Sequence, residues 1–299
     1  MTFVRYLLCQ LDLLLQQFLQ SEQQNRGVIF CKTKAAAKRL SLQLIAKNIA
    51  TDAIHGDLLQ KERDKVMREF HTPDQILETW RQALDAGITA MVTNNETPHV
   101  LDALERYFAD GTEGKLQWIA QVNHNRNPEM TDAIDEAVKI GCKALFIHGG
   151  VVDNLYKNRD EKTIRKWATH AQSHGIPVGI AGHSPVVHDW VNSLDIVDFH
   201  VVCFFDCGSV HNQEGERFSL EDIAEAVKCI QRLEKPCIGF KIMGAGRIDP
   251  KMAFQYAFDN IKVGDVVNVG MHRGDKETIV RENVDLVNEV LGQAARQSA

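Results

Sequence analysis

A (β/α)8 barrel of the α/β class is the fold this chain predicts, and three observations predict it. Short apolar runs alternate with helical runs of about a dozen residues. Gly87, Gly141 and Gly175 each close a helical run and lead into a short apolar strand, as a C-terminal cap does. The length of 299 residues, 44% hydrophobic and 25% charged, suits one large α/β domain or a small segment joined to a barrel. The repeated order of helix, glycine, buried strand and polar loop is the rhythm of parallel β/α architecture.

Taken in order, residues 1–20 are leucine-rich, with Leu8, Leu11, Leu14, Leu15 and Phe18 at helical spacing. They predict an amphipathic helix. Asp12, Gln16 and Gln17 interrupt the stretch, which is too short for a membrane span and lacks a signal-peptide cleavage pattern. Strands are predicted at 28–31, 51–55, 89–94, 116–122, 144–148, 177–181, 197–205, 237–243 and 266–270. Helices are predicted at 34–47, 59–70, 74–86, 98–108, 128–140, 161–174, 186–192, 220–233, 250–260 and 276–291. Thr72-Pro73 and Asp249-Pro250 each place a capping residue before a first-turn proline.

Seven of these strands fall between residues 88 and 270, and a closed barrel needs eight. The helix at 74–86 has no strand of its own before it within the barrel pattern. The run at 51–55 is the best candidate for the missing slot, which leaves 28–31 outside or beneath the barrel. The alternative is an open seven-stranded sheet with the N-terminal segment docked separately. The expected division is 1–71 and 72–299.

The net charge is -6, whereas a nucleic-acid binder usually shows a basic balance or stripe. The balance points to an enzyme acting on small molecules. Of seven cysteines, Cys203 and Cys207 are four apart, with no second pair to finish a zinc site. An odd number without tight pairing argues against a disulfide framework and for a reducing, cytoplasmic setting. Packing cysteines are the expected reading.

Gly27-Val28-Ile29-Phe30-Cys31-Lys32-Thr33-Lys34 and, further on, Ile54-His55-Gly56-Asp57 with Gln60 and Arg63 resemble the second RecA-like domain of DEAD-box RNA helicases. The resemblance covers roughly residues 8–70. It implies that Lys32, Thr33, Gln60 and Arg63 occupy RNA-facing positions, chemistry suited to phosphate contacts. It also shows what is missing: the alanine-threonine-aspartate strand, the arginine-rich ATP motif, and the glycine-lysine-threonine phosphate loop. Met271-His272-Arg273-Gly274-Asp275 lacks the second arginine of that motif. No ATP is expected, and the segment is read as scaffold with at most a residual RNA contact.

Residues 72–291 resemble a poorly characterised family of TIM-barrel proteins lacking its first strand. The carrying stretches are Thr72 to Trp80, Gly239 to Arg247, and Val269-Gly270-Met271 followed by Glu282-Asn283. On this reading a helicase-like βα segment replaces the first unit, and the chain is a chimera.

Barrel active sites lie at the C-terminal strand ends, which selects Asn94, Asn95, Gln121, Asn123, His148, His183, Asp206, Lys241 and His272. His148 and His183, on adjacent strand ends, would ligate one divalent metal with Asp206, or serve as acid and base. The alternative is that each caps its strand. Lys241, within an apolar strand, would form a Schiff base, hold a substrate anion, or pair with a neighbouring acid. Gly244, Gly246, Arg247 and Gly270 sit where loops after strands seven and eight bind phosphate. His200, earlier on its strand, is expected to be a core or barrel-interior histidine. If 51–55 fills the slot, His55 and Asp57 face the same cavity.

Three functions follow as expectations. The first is a lyase, isomerase or aldolase-like enzyme on a small-molecule substrate. The second is an RNA-binding module, and the third an inactive chimera. Oligomeric state is not legible.

Overall fold

The computed structural model describes residues 72–206, 218–271 and 276–297, with side chains as far as residue 292. These lie in one of two compact units of the chain, Thr72–Ala299. The runs at 28–31 and 51–55, with His55, Asp57, Lys32, Thr33, Gln60, Arg63 and His272, lie outside the described residues.

The elements are α1 (Pro73–Asp85), β1 (Ala90–Asn94), α2 (Pro98–Phe108), β2 (Gln117–Val122), α3 (Met130–Ile140), β3 (Ala144–Ile147), α4 (Gly149–Asn158), α5 (Glu161–Gln172), β4 (Val178–Gly182), α6 (Pro185–Leu194), β5 (Phe199–Cys203), α7 (Glu221–Arg232), β6 (Cys237–Phe240), α8 (Pro250–Asn260), β7 (Val266–Asn268) and α9 (Ile279–Gln297). All seven strands are parallel and pair in chain order, β1 to β7. The sheet is a barrel nearly closed, with β1 and β7 as its described edges. Helix α9 packs on α1, so the outer helical layer meets beside those two described edges.

The local signals act as their chemistry requires. Thr72 Oγ1 accepts from Gln75 N–H at 3.2 Å, and Gln75 Oε1 accepts from Thr72 N–H at 3.1 Å. This capping box, with Pro73 in the first turn, starts α1. Asp249 Oδ1 does the same for α8, accepting from Met252 N–H at 3.1 Å. Gly141, at φ +121°, ends α3 in a conformation that favours glycine.

The predicted elements differ from the observed ones at three informative places. Helix α4 has no counterpart among the predicted helices. The fifth strand is shorter than 197–205, because Phe204 and Phe205 leave the barrel wall to pack with α7 and α8. The sixth ends at Phe240, so Lys241 stands one residue beyond the strand with φ +56°.

Alternation of period two sorts the strand residues. Leu145, Ile147, Val178 and Ile180 face the helices. Phe146, Ala181, Phe199, Val201 and Ile238 fill the barrel interior with Val92, Ile119 and Phe240 beside them. The central strands β4 and β5 are buried throughout, while β1 and β7 begin exposed. That gradient runs from the centre of the described sheet to its two described edges.

Gly179 is a space-making position. A Cβ there would stand 2.5 Å from Phe199 Cε2, inside any van der Waals contact. Gly179→Ala is expected to destabilise the fold by about 1–3 kcal/mol through overpacking, measured by urea denaturation. Phe199→Leu in the same chain should return part of that loss; no recovery would mean the ring is not the obstacle.

At the opposite end of the strands, Asp198 Oδ2 accepts from Val178 N–H at 2.8 Å, and Asp265 Oδ1 accepts from Cys237 N–H at 2.8 Å. These carboxylates satisfy strand amides that would otherwise lack partners. Cys142, Cys203, Cys229 and Cys237 are buried, and none of them is in a disulfide among the described residues. Burial pushes the Cys142 and Cys229 thiols up to about 12 and Cys237 to about 11, which suits packing rather than reactivity.

Candidate active site

The strand registers place one set of inward residues around the barrel mouth. Asn94 pairs in register with Gln121 and Gln121 with Phe146. Cys203 pairs with Phe240 and Phe240 with Asn268. Strands β3 and β4 are neighbours, so His148 and His183 stand at adjacent strand ends, as the sequence predicts.

His183 carries the best-defined polar geometry there. Its Nδ1 lies 2.6 Å from Asp153 Oδ2, and its backbone N–H donates to Asp153 Oδ1 at 3.2 Å. Both side chains are largely buried, at 14% and 18% exposure. A bidentate carboxylate therefore fixes both the backbone and the ring of His183. The ring lies 6.1 Å from that of Phe240, edge to face, which sets it over the barrel interior. Gly149 lets the start of α4 approach closely: a Cβ there would meet His183 Cε1 at 3.1 Å.

Asp153 is the residue that sequence reasoning missed. It lies on α4, the helix without a predicted counterpart, and no spacing tied it to His183 thirty residues later. Asn268, inward on β7 beside Phe240, was missed for a plainer reason: it falls inside an apolar run.

His148 begins α4. Its carbonyl accepts from Val151 and Val152, and its amide donates to Val122 O at 3.0 Å. Asp206 lies three residues past β5; its amide donates to Asp222 Oδ2 at 3.1 Å and its Oδ1 is buried without a hydrogen-bond partner among the described residues. The trio His148, His183 and Asp206 does not form a metal-ligating group. Among the described residues the one such group is Asp135, His170 and His174. At His183 the carboxylate partner is Asp153 instead.

Lys241 does not enter the barrel from within a strand. It sits on the rim, its Nζ 5.7 Å from the Phe240 ring centre, so Lys241 and His183 flank one aromatic ring. Asn94 Oδ1 accepts from the amides of Glu96 and Thr97 at 3.1 and 2.9 Å, a turn-capping role. Asn95 points outward, donating to Ala133 O at 3.0 Å. Asn123 is buried, with Oδ1 unpartnered among the described residues.

The loop after β6 is not an open cradle of amides. Gly244 N–H donates to Lys241 O, and the amides of Gly246, Arg247 and Ile248 all donate to Met243 O. Arg247 Nη1 also turns inward, to Gly244 O at 3.0 Å. Those four amides are thus committed within the loop, which does not fit the expected phosphate nest. Gly270 is exposed at the end of the seventh strand unit.

His200 is fully buried but faces the helices, not the barrel interior. It meets His188 of α6, with Nδ1 to Nδ1 3.2 Å. A shallow depression of about 530 Å³ lies on the outer helical face, bordered by Lys162, Arg165, Lys166 and His170. Nearby, burial alone would raise the Asp135 carboxyl, but hydrogen bonds from His170 and His174 hold it below its ordinary value.

A parallel α/β barrel with polar strand ends at one mouth is a TIM-like architecture. Solved structures of that kind resemble the described unit. A putative aldo-keto reductase from Pseudomonas aeruginosa matches with a TM-score of 0.54 at 13% identity, over 75% of this chain and 86% of that one. A truncated 3-deoxy-D-arabino-heptulosonate 7-phosphate synthase from Thermotoga maritima matches with a TM-score of 0.51 at 10% identity, over 76% and 84%. At these identities the likeness shows the fold alone.

The N-terminal part resembles other proteins. Residues 9–89 match the helicase conserved C-terminal domain, which runs past the resemblance at 8–70 and through α1. The ATP-dependent RNA helicase FAL1 of Saccharomyces cerevisiae is 38% identical over 79 residues, 25% of this chain and 20% of that protein. Eukaryotic initiation factor 4A-III homolog B of Oryza sativa is 36% identical over 78 residues, 25% and 19%. The chain spans about a fifth of the length of these curated relatives. No helix among the described residues is long and apolar enough to cross a membrane.

Proposed function

We propose that the barrel is a small-molecule enzyme of the lyase or isomerase kind, in which His183 moves a proton at the mouth. The observation that carries this reading is the bidentate Asp153–His183 pair at the end of β4. A carboxylate on Nδ1 fixes the ring tautomer, leaving proton exchange with substrate to Nε2. Gln121, Asn123, Asn268 and the His148 strand end would supply polar contacts around the substrate. Lys241 and Ala245 support the same location. Both are non-glycine residues in the left-handed region, at φ +56° and +55°, a cost of roughly 1–2 kcal/mol each. Backbone strain of this kind concentrates at functional sites.

Lys241 on the rim suits a point charge for a substrate carboxylate or phosphate better than a Schiff base. Borohydride treatment with carbonyl compounds is expected to give no adduct, and Lys241→Ala to raise KM about 10–100-fold with kcat retained. A trapped adduct at Lys241 would reverse that assignment.

The test of the reading as a whole is solvent exchange. The full chain is incubated in D2O with a panel of hydroxy-ketones, oxo acids and their phosphate esters, and deuterium next to the carbonyl is followed by NMR. At least one compound should exchange faster than with His183→Ala. Equal exchange across the panel sinks the proposal and favours the inactive chimera. The RNA-binding alternative rests on Lys32, Thr33, Gln60 and Arg63. Its test is titration with single-stranded RNA at low salt, where Lys32→Ala should weaken any binding.

A further inference from the structure

We propose that Asp135, His170 and His174 form a binding site for a zinc-class divalent transition metal on the outer helical layer, separate from the barrel mouth. His170 lies in the last turn of α5 and His174 follows four residues later, just past the helix end. The two imidazoles meet at the C-terminal end of α5, and a histidine pair four residues apart is a spacing that zinc sites use. Asp135 comes from α3, which packs against α5. The Nε2 atoms of both histidines converge on one oxygen, Asp135 Oδ1, at 2.7 and 2.8 Å. The three ligand atoms lie within 4.8 Å of one another.

The arrangement has a simpler reading as two hydrogen bonds to one carboxylate. That reading needs a proton on each Nε2, whereas a metal needs both lone pairs; each ring can supply either by moving its proton to Nδ1. Several features favour the metal. The rings stand nearly perpendicular, at 85° with centroids 5.3 Å apart, so their nitrogens approach one point from different directions. Three ligands of nitrogen and oxygen type are a set that zinc, cobalt, nickel and copper accept, with a fourth position left for water. Magnesium and calcium, which prefer all-oxygen shells, are excluded by the same chemistry. The side chains are 32%, 28% and 51% exposed, and His170 borders the surface depression, so an ion has a path in. A bound ion would clamp α3 to α5 without touching the strand ends.

The experiment titrates Co2+ into chelator-stripped full-length protein and reads its visible d–d absorption, then displaces it with Zn2+. The variants are His174→Gln, Asp135→Asn and, as a control at the mouth, His183→Gln. Wild type and His183→Gln should show the same Co2+ spectrum. His174→Gln and Asp135→Asn should bind that equivalent more than about tenfold more weakly, since even losing a partner one shell further out costs that much. Far-UV circular dichroism on each variant separates lost metal from lost fold. Unchanged affinity in both surface variants, or no d–d spectrum in wild type, overturns the site. Loss confined to His183→Gln overturns it as well and moves the metal to the mouth.

Discussion

Lowering the pH from 7 to 5 is expected to cost the barrel about 4 kcal/mol of stability, about 2 kcal/mol from each of His188 and His200. Both are fully buried. Burial lowers His188 to about 4, with Gly182 O and the charges of Asp153 and Asp189 opposing and His183 adding to the fall. Burial lowers His200 to about 3, assisted by His188, Lys235 and Lys262. Because these folded-state values lie below the ordinary 6.5, the unfolded chain binds more protons through this window. The contribution is therefore present above pH 6.5 and lost as pH falls from there through about 4 for His188 and about 3 for His200.

The hydrogen bonds fit a neutral pair. His188 Nε2 lies 3.3 Å from Gly182 O and so carries a proton. Its Nδ1 then accepts from His200 Nδ1, and His200 Nε2 is left buried without a partner among the described residues. A proton on either ring would add a buried charge with no acid hydrogen-bonded to it. The check is urea denaturation at pH 7 and pH 5 for wild type and for the double variant His188→Leu/His200→Leu. Replacing both partners by apolar groups removes the pair without orphaning one member. The double variant should lose most of the slope between those pH values; an unchanged slope would place the proton uptake elsewhere.

The second large effect falls on the mouth. With any compound that exchanges, His183→Ala should lower kcat by about 10²–10⁴-fold. Asp153→Asn should lower it by a similar order, because the amide does not hold the ring in the same tautomer. The double variant should be little worse than the worse single one, as groups acting in one unit are not additive. Thermal stability should fall far less than the rate, by no more than the loss of the hydrogen bond and of the ring contact with Phe240 explains. Additive losses, or a fall in stability matching the fall in rate, would make the pair structural.

Much of the barrel was legible in the sequence. Thr72-Pro73 and Asp249-Pro250 mark helix starts because capping is a local reaction between a side chain and amides two or three residues away. Gly87, Gly141 and Gly175 mark helix ends for the same local reason. The strand ends at His148 and His183 could be found because a polar residue closing an apolar run is a one-dimensional signal. Lys241 shows the limit. Two apolar residues on either side read as one strand, yet the chain turns after Phe240 and changes which way the lysine faces.

The sequence by itself determined the parallel β/α order, the seven strands after residue 88, the adjacent histidines and the helicase resemblance of the N-terminal part. Only the tertiary structure decided that His183 pairs with Asp153 rather than with Asp206, that His200 meets His188 between sheet and helix, and that His170 and His174 meet Asp135. Each of these pairings joins residues on different elements, at 12 to 39 positions apart. Periodicity reports the face a residue occupies on its own element. Which face of a neighbouring element lies opposite is set by barrel stagger and helix packing, and that information exists only once the chain has closed around its core.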